Sequence, residues 1–501
     1  MGPHTFVARV TATAEGSGLR RVLRGGALGA AGAGIGTVLN LALIVTVTRA
    51  FSQEEAGLLF SATSVFLITA AVANAGAPDG LVYFTARLRV LGRREGVREL
   101  LRTAVGPAVL GACAASAVLV VCAEPVAGAM GTGEAASYLR LLAAFLPAAV
   151  LAETALAAGR AHHDMAGTVA VERVGRPLAQ LALVGAVAAT GSAGLLAVAW
   201  AGPYLPAAAV AWFWLGRILR RTAPADEAPR AGAAVSRAEF WSFALPRAAA
   251  GCAQLGVQRG GVVLTALLGG LAGAALFTAA TRITVAGQTA AQAVLHAAQP
   301  RFAEQVAAGD HAGARNLYRA VAAWLVCLNW PLYLTVLVFS GEVMGLFGPA
   351  YASGAAALAV VCAGQMAATA LGPGDLVLSM TGRTGMNLLN NVLALAANVL
   401  LCVLFVPPLG AVGAAAALAG AVLVRKLLPL WQLRSTSAPH PLCPSVLAAA
   451  GSALLWCGAL PLLTRALSGG GVLLPVAAVA AGAAGHLATV WAMRGLLRLR
   501  R

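Results

Sequence analysis

Three arginines stand where arginine is expensive. Arg247, Arg259 and Arg282 interrupt two long apolar blocks, 240–268 and 270–299, and glutamines recur around them at helical spacing. At about 100° per residue, Arg247, Gln254 and Gln258 share one stripe of the first block. On the second block Thr281, Gln288, Gln292 and Gln299 share a stripe, flanked by Thr284 and His296. Arg259 and Arg282 lie about 100° or more off these stripes, at their edges. Amide and guanidinium groups turned toward hydrocarbon would lack partners. The two faces therefore either line water and a polar ligand or bond across the helix pair as packing contacts. A cavity with several Arg and few acids prefers an anion, and the planar fork of Arg meets two phosphate oxygens at once. Arg24, just ahead of the first apolar block, is either a further contact for that anion or a charge that sets topology. Glu153, deep in another block, either carries a coupling cation (H+ or Na+) or pairs with an Arg. Asp79 and Asp375 sit in Pro/Gly turns that they help to shape. His162-His163-Asp164 has the residue types of a metal site, but an adjacent pair in a loop reads as solvated, so no metal or cofactor is expected.

The elements that position these residues follow from composition. Of 501 residues, 59% are hydrophobic and 11% charged, with a mean hydropathy of +0.82. A soluble protein needs roughly a quarter of its residues charged. Apolar blocks of about twenty residues, the length a bilayer core requires, recur near 27–48, 57–77, 104–123, 138–158, 177–190, 193–215, 240–268, 270–299, 320–340, 354–374, 386–406, 409–431, 445–464 and 471–493. This predicts an all-α polytopic membrane protein of about fourteen transmembrane helices. The fifth block is the shortest.

Charge placement tests that number. With the N-terminus cytoplasmic and sides alternating, 29 of the 35 basic residues fall in cytoplasmic segments. Only Arg49, Arg140 and Arg465 fall outside, and Arg247, Arg259 and Arg282 lie within spans. So lopsided a distribution fixes orientation by the positive-inside rule, and losing one span would reverse every later cluster. Both termini are expected in the cytoplasm, in a multi-pass protein of the cell (plasma) membrane. The net charge of +17 is scattered between apolar blocks rather than gathered in a basic face with aromatics, which argues against nucleic acid. The eight Cys are dispersed without CxxC or Cys/His spacing, so neither a zinc site nor a disulfide framework is indicated. No cleavable signal peptide is expected ahead of the first block.

The halves look related. Gly96-Val97-Arg98-Glu99-Leu100-Leu101-Arg102 recurs as Gly313-Ala314-Arg315-Asn316-Leu317-Tyr318-Arg319, an offset of 217 that also aligns Phe60-Ser61-Ala62 with Phe277-Thr278-Ala279. The expected organisation is a cytoplasmic segment 1–26, a six-helix bundle 27–220, a linker 221–239 and a second six-helix bundle 240–435. Residues 436–501 add a helix pair and a basic tail. The repeats would be parallel, related by an axis along the membrane normal.

Several stretches carry a family resemblance. They are Arg49-Ala50-Phe51-Ser52-Gln53-Glu54-Glu55-Ala56-Gly57, Leu346-Phe347-Gly348-Pro349-Ala350-Tyr351, Gly382-Arg383-Thr384 with Asn387, Asn390, Asn391 and Asn398, and Pro407-Pro408-Leu409-Gly410-Ala411-Val412-Gly413-Ala414-Ala415. Over residues 20 to about 495 the chain resembles the Wzx-like polysaccharide and oligosaccharide flippases of the multidrug/oligosaccharidyl-lipid/polysaccharide (MOP) exporter superfamily. The resemblance implies a V-shaped pair of bundles around a cationic cavity. Alternating access would pass a lipid-linked, pyrophosphate-bearing saccharide across the bilayer. The implied partners are that anionic lipid-linked saccharide and membrane lipids, with a monomer as the unit and no covalent catalysis. Two other readings stay open: a drug or metabolite/cation antiporter of the same superfamily, and a membrane glycosyltransferase or polysaccharide polymerase. The antiporter would favour interior acids. The enzyme would need external carboxylates or His, and the external segments hold five acids and no His.

Overall fold

In the computed structural model the chain is helical, with no strand among the described residues. Those residues are 26–501 except 91–95, 163, 223–234, 435–442, 469–472 and 496–501; before residue 26 only a helical backbone from Pro3 is described. Ten helical segments are long and apolar enough to cross a bilayer. The first are α1 (Gly26–Ala50), α2 (Gln53–Arg89) and α3 (Gly96–Val121). The helix pair Glu134–Ala144 and Leu146–Ala161, bent by 40° just ahead of Pro147, makes one broken span, α4.

The fifth block is longer than its hydropathy suggests. Residues 168–190 (α5) run as a π-helical stretch, Thr168–Gly175, continued by an α-helix, Arg176–Thr190. Pro177 explains the join. A proline ring collides with the carbonyl four residues back, and the wider turn, in which the Arg176 N–H reaches the Val171 carbonyl, relieves that crowding. α6 follows at Ala193–Arg221.

Two apparently single helices are each a hairpin. Arg237–Ala307 turns at Gly270 (φ 81°), and Thr384–Gln432 turns at Gly410 (φ 54°), both conformations that L side chains avoid. The chain reverses there. A Cβ placed on Gly261 would lie 3.2 Å from the Phe277 ring, and one on Gly420 would lie 2.6 Å from Leu401. The crossings are thus α7 (237–269), α8 (271–307), α9 (His311–Val338), α10 (Pro349–Ala370), α11 (384–409) and α12 (411–432). α13 (Pro444–Leu467) and α14 (Leu474–Ala492) complete the chain. The described residues thus hold fourteen apolar helical segments once the hairpins, the broken span and α5 are included.

By packing, the chain divides into two compact units. Unit 1 comprises Met1–Leu43, Thr69–Ala123 and Ser137–Ala248; unit 2 comprises Ile44–Ile68, Glu124–Ala136 and Ala249–Arg501. Unit 1 is held along α2 and the start of α7 by aromatic contacts. The Tyr83 and Phe243 rings stack at 4.2 Å, and Phe84 meets Phe243 edge-on at 5.3 Å. In unit 2, Phe302, Val326 and Leu378 are fully buried in one cluster with Tyr318, whose hydroxyl donates to the Leu371 carbonyl at 2.6 Å. Buried apolar area holds neither helix pair against lipid as it would in water. Close packing and buried polar contacts do. The C-terminal pair shows this: His486, on α14, is buried between the Ser452 hydroxyl of α13 (2.9 Å) and the Cys327 carbonyl of α9 (3.1 Å).

Candidate anion site in unit 2

Arg259 lies in a π-helical turn of α7, Gly256–Gly260, and Arg282 lies on α8, the returning arm of the same hairpin. The hairpin brings them together: the Arg259 charge acts directly on the Arg282 guanidinium. Both side chains are half-buried. The Nε of Arg282 is buried and has no hydrogen-bond partner, and Arg282 forms no ion pair among the described residues. Two like charges so placed repel each other.

Polar side chains that the periodicity left unmarked lie on neighbouring turns. Thr278, one helical turn before Arg282, has a buried and unpartnered hydroxyl. Asn398 of α11 is 1% exposed, and neither end of its amide has a partner. Its Oδ1 faces α7 two residues past Arg259, 3.9 Å from where a Cβ on Gly261 would sit. Asn398 belongs to the asparagine series 387–398; nothing in that series distinguished it from Asn390, whose amide makes two bonds with Gln432 at 2.9 and 2.8 Å.

Of the glutamines, Gln254, Gln258 and Gln292 are exposed and Gln288 is half-buried. None forms a side-chain hydrogen bond among the described residues, so the cross-helix bonding that packing contacts require is not what occupies them. Thr281 and Thr284 bond back to their own helix, at 2.9 and 2.8 Å. Arg247 belongs to unit 1, where its guanidinium lies over the Phe243 ring at 3.7 Å from the centroid and is otherwise exposed. The side chain of Arg24 lies outside the described residues.

The acids are elsewhere. Glu153, in the middle of α4, accepts a 2.6 Å hydrogen bond from Asn74 and keeps one side exposed. Asp375 begins a short helix, Gly374–Met380, and is tied to Lys426 of α12 at 2.9 Å. Burial pushes this carboxyl up, but the Lys426 and Arg425 charges outweigh it and hold the pKa down to about 2. The His162 ring lies 2.9 Å from its own helix's Ala158 carbonyl. Asp164 caps the Ala166 N–H and accepts from the Trp214 indole, both at 2.8 Å, and His163 lies outside the described residues.

No family model and no curated protein matches the sequence. Solved structures do. The chain is similar to the inward-facing conformation of a multidrug resistance MATE family transporter of the MOP superfamily, with a TM-score of 0.67 and 17% identity, over 80% of this chain and 96% of that one. It is similar to the lipid II flippase MurJ in an inward closed conformation, with a TM-score of 0.68 and 10% identity, over 94% of this chain and all of that one. The fold is the one these two transporters share. A further MOP superfamily transporter, from Pyrococcus furiosus and described as having a binding pocket of reverse polarity, matches with a TM-score of 0.57 and 17% identity, over 83% of this chain and 95% of that one. At these identities the likeness establishes architecture.

Proposed function

We propose that this chain is a flippase or exporter of the MOP fold that moves a lipid-linked, pyrophosphate-bearing saccharide across the membrane by alternating access. The observation that carries the reading is the Arg259–Arg282 pair: two guanidinium groups within the spans, mutually repelling, one with a buried and unsatisfied Nε. A guanidinium kept within the spans with its Nε unsatisfied and a second arginine beside it is explained by an anion that visits it. A pyrophosphate offers enough oxygens for both forks, while the lipid tail stays in the bilayer. Gln254, Gln258, Gln288 and Gln292 would meet the uncharged sugar by hydrogen bonds. Arg247 belongs to unit 1. Both termini lie in the cytoplasm of a plasma-membrane monomer in this reading, and binding and conformational exchange do the work without bond chemistry.

The test is flipping of a fluorescent lipid-pyrophosphate oligosaccharide in proteoliposomes. Wild type should flip it, and Arg259→Ala and Arg282→Ala should each slow it by about tenfold or more, the loss of a charge-assisted contact of about 1.5–3 kcal/mol. Wild-type transport that both variants retain in full would remove the pair from the site. The antiporter reading is favoured by one observation, the accessible carboxylate of Glu153. Export of a cationic dye, lost in Glu153→Gln and kept in Arg282→Ala, would decide for it.

A further inference from the structure

Two helix ends of unit 2 finish in the same way. α12 closes on Trp431-Gln432-Leu433-Arg434 and α14 on Trp491-Ala492-Met493-Arg494. In each, the chain tightens into a last turn, where the Arg N–H reaches the Trp carbonyl, at 3.4 Å for Arg434 and 3.3 Å for Arg494. That turn lays the guanidinium over the indole. The Arg434 Cζ lies 4.9 Å from the Trp431 ring centroid, and the Arg494 Cζ lies 4.2 Å from that of Trp491. The residue before each arginine faces inward. Leu433 is buried in the cluster that holds Tyr318 and Leu378, and Met493 packs against that same cluster. Only α13 and α14 separate the two ends along the chain, so both lie at one membrane surface. It is the cytoplasmic surface in the topology that charge placement predicts.

Both pairs turn their donors outward. Trp431 is 60% exposed and Trp491 68%. Elsewhere in unit 2 the indole N–H of Trp330 meets the Met366 carbonyl at 3.1 Å, and that of Trp456 meets the Thr489 hydroxyl at 2.9 Å. The indoles of Trp431 and Trp491 bond to no described residue. Neither Arg434 nor Arg494 forms an ion pair among the described residues, although Lys426 pairs with Asp375 and Arg465 with Glu342 in the same unit. A guanidinium resting on a ring keeps its N–H groups in its own plane, so its fork stays open to two oxygens of one phosphate. The indole supplies an apolar face for an acyl chain and one further donor at headgroup depth. A soluble phosphate would use the arginine and leave the exposed ring unmatched. A phospholipid uses both.

We infer that the Trp431–Arg434 and Trp491–Arg494 pairs are fixed binding points for the phosphate of an anionic glycerophospholipid. Lipid held there fastens the end of the second bundle and the C-terminal helix pair at their common cluster. General attraction of basic residues to an anionic surface does not require this geometry. Arg315, at the start of α9 on the same surface, is exposed and lies over no aromatic ring, so it serves as the control. The site does not depend on the transport reading, since no cargo takes part.

The experiment places the full chain in nanodiscs of phosphatidylcholine, with or without phosphatidylglycerol, and follows melting temperature. Native mass spectrometry counts the lipids retained by the protein released from each. Wild type should melt higher with phosphatidylglycerol and retain it in preference to phosphatidylcholine. Arg434→Gln and Arg494→Gln should each weaken that retention by about fivefold, and the double variant should lose both preference and thermal shift. Trp431→Leu with Trp491→Leu keeps the charges and should still weaken retention, because the guanidinium groups lose their platform. Arg315→Gln should change neither readout. Equal behaviour of wild type in the two lipids overturns the site, as does full retention by the double arginine variant. An Arg315→Gln protein as impaired as Arg434→Gln would reduce the effect to surface charge and overturn it too. Glycerol 3-phosphate that stabilises the protein in phosphatidylcholine as much as phosphatidylglycerol does would make the ligand a soluble phosphate, and the lipid site would fall.

Discussion

Arg49 donates through Nε to the Leu346 carbonyl at 2.8 Å, across 297 positions of sequence. Gln53 reaches the Ala350 carbonyl at 3.0 Å, so two stretches, 49–57 and 346–351, meet within unit 2. The first is set by a capping box: the Ser52 N–H and hydroxyl both donate to the Glu55 carboxylate, and the Glu55 N–H donates to Ser52 Oγ in return. Arg49→Ala should lower stability by about 1 kcal/mol, the scale of one exposed but charged hydrogen bond. Arg49→Lys, which keeps the charge but loses the planar Nε–H, should behave nearly as badly. Thermal melts of the two variants in detergent check this; a lysine variant equal to wild type would mean that charge alone matters.

Gly57 closes the same stretch and admits no side chain. A Cβ there would lie 1.9 Å from the Leu271 carbonyl, a backbone atom that cannot rotate away. Gly57→Ala should therefore destabilise by about 1–3 kcal/mol, as overpacking does. Gly185→Ala, within α5 and with nothing within 4 Å, should be neutral or mildly stabilising, since alanine favours the helix. The yield of monodisperse protein and its melting temperature separate the two, and equal behaviour would contradict the packing described.

How far the sequence could be read depended on whether a signal is local. The spans were legible because a twenty-residue apolar block is its own evidence, and the hairpin turns were legible at Gly410, inside Pro407-Pro408-Leu409-Gly410. The length of α5 was not, because its first turns carry Glu172 and Arg173, and hydropathy penalises charges that here belong to a π-helical stretch. Arg259 and Arg282 could be marked because a charge in an apolar block stands out. That they act on each other follows from a hairpin about Gly270. Asn74 could not be marked as a partner of Glu153, because 79 residues separate them and an asparagine before Ala75-Gly76 reads first as a helix stop. Asp375 likewise read as a turn residue, which its place at the start of a helix supports, but its pairing with Lys426 is a tertiary fact.

That pairing has a pH consequence. The Asp375 pKa falls from 3.8 to about 2, so its stabilising contribution is fully present above pH 4. It is lost as pH drops from about 4 toward 2, where the folded state also protonates. Lys426→Met should remove about 2 kcal/mol at neutral pH by stranding the carboxylate beside Arg425 alone, and should weaken this acid dependence. The double variant Asp375→Asn with Lys426→Met should recover part of the loss. Melting curves from pH 3 to 7 test the sign, and a double variant worse than the single would rule out the stranded-charge explanation.

The Arg259–Arg282 pair makes the opposite kind of prediction, because what serves a ligand harms the empty protein. Removing one guanidinium relieves the repulsion and the burial of an unsatisfied Nε. Arg282→Met, similar in length and uncharged, should therefore leave the cargo-free protein as stable as wild type or more so, by up to about 1–4 kcal/mol. The same variant should lose most of the stabilisation that a soluble pyrophosphate probe gives to wild type, since that ligand stabilises only by binding the folded state. Arg247→Met, whose guanidinium rests on Phe243 in unit 1, should leave stabilisation by the probe closer to the wild-type value. Melting temperatures with and without inorganic pyrophosphate give both readouts. An Arg282→Met protein less stable when empty, yet still stabilised by pyrophosphate as wild type is, would make Arg282 a structural residue and leave the anion site without its main support.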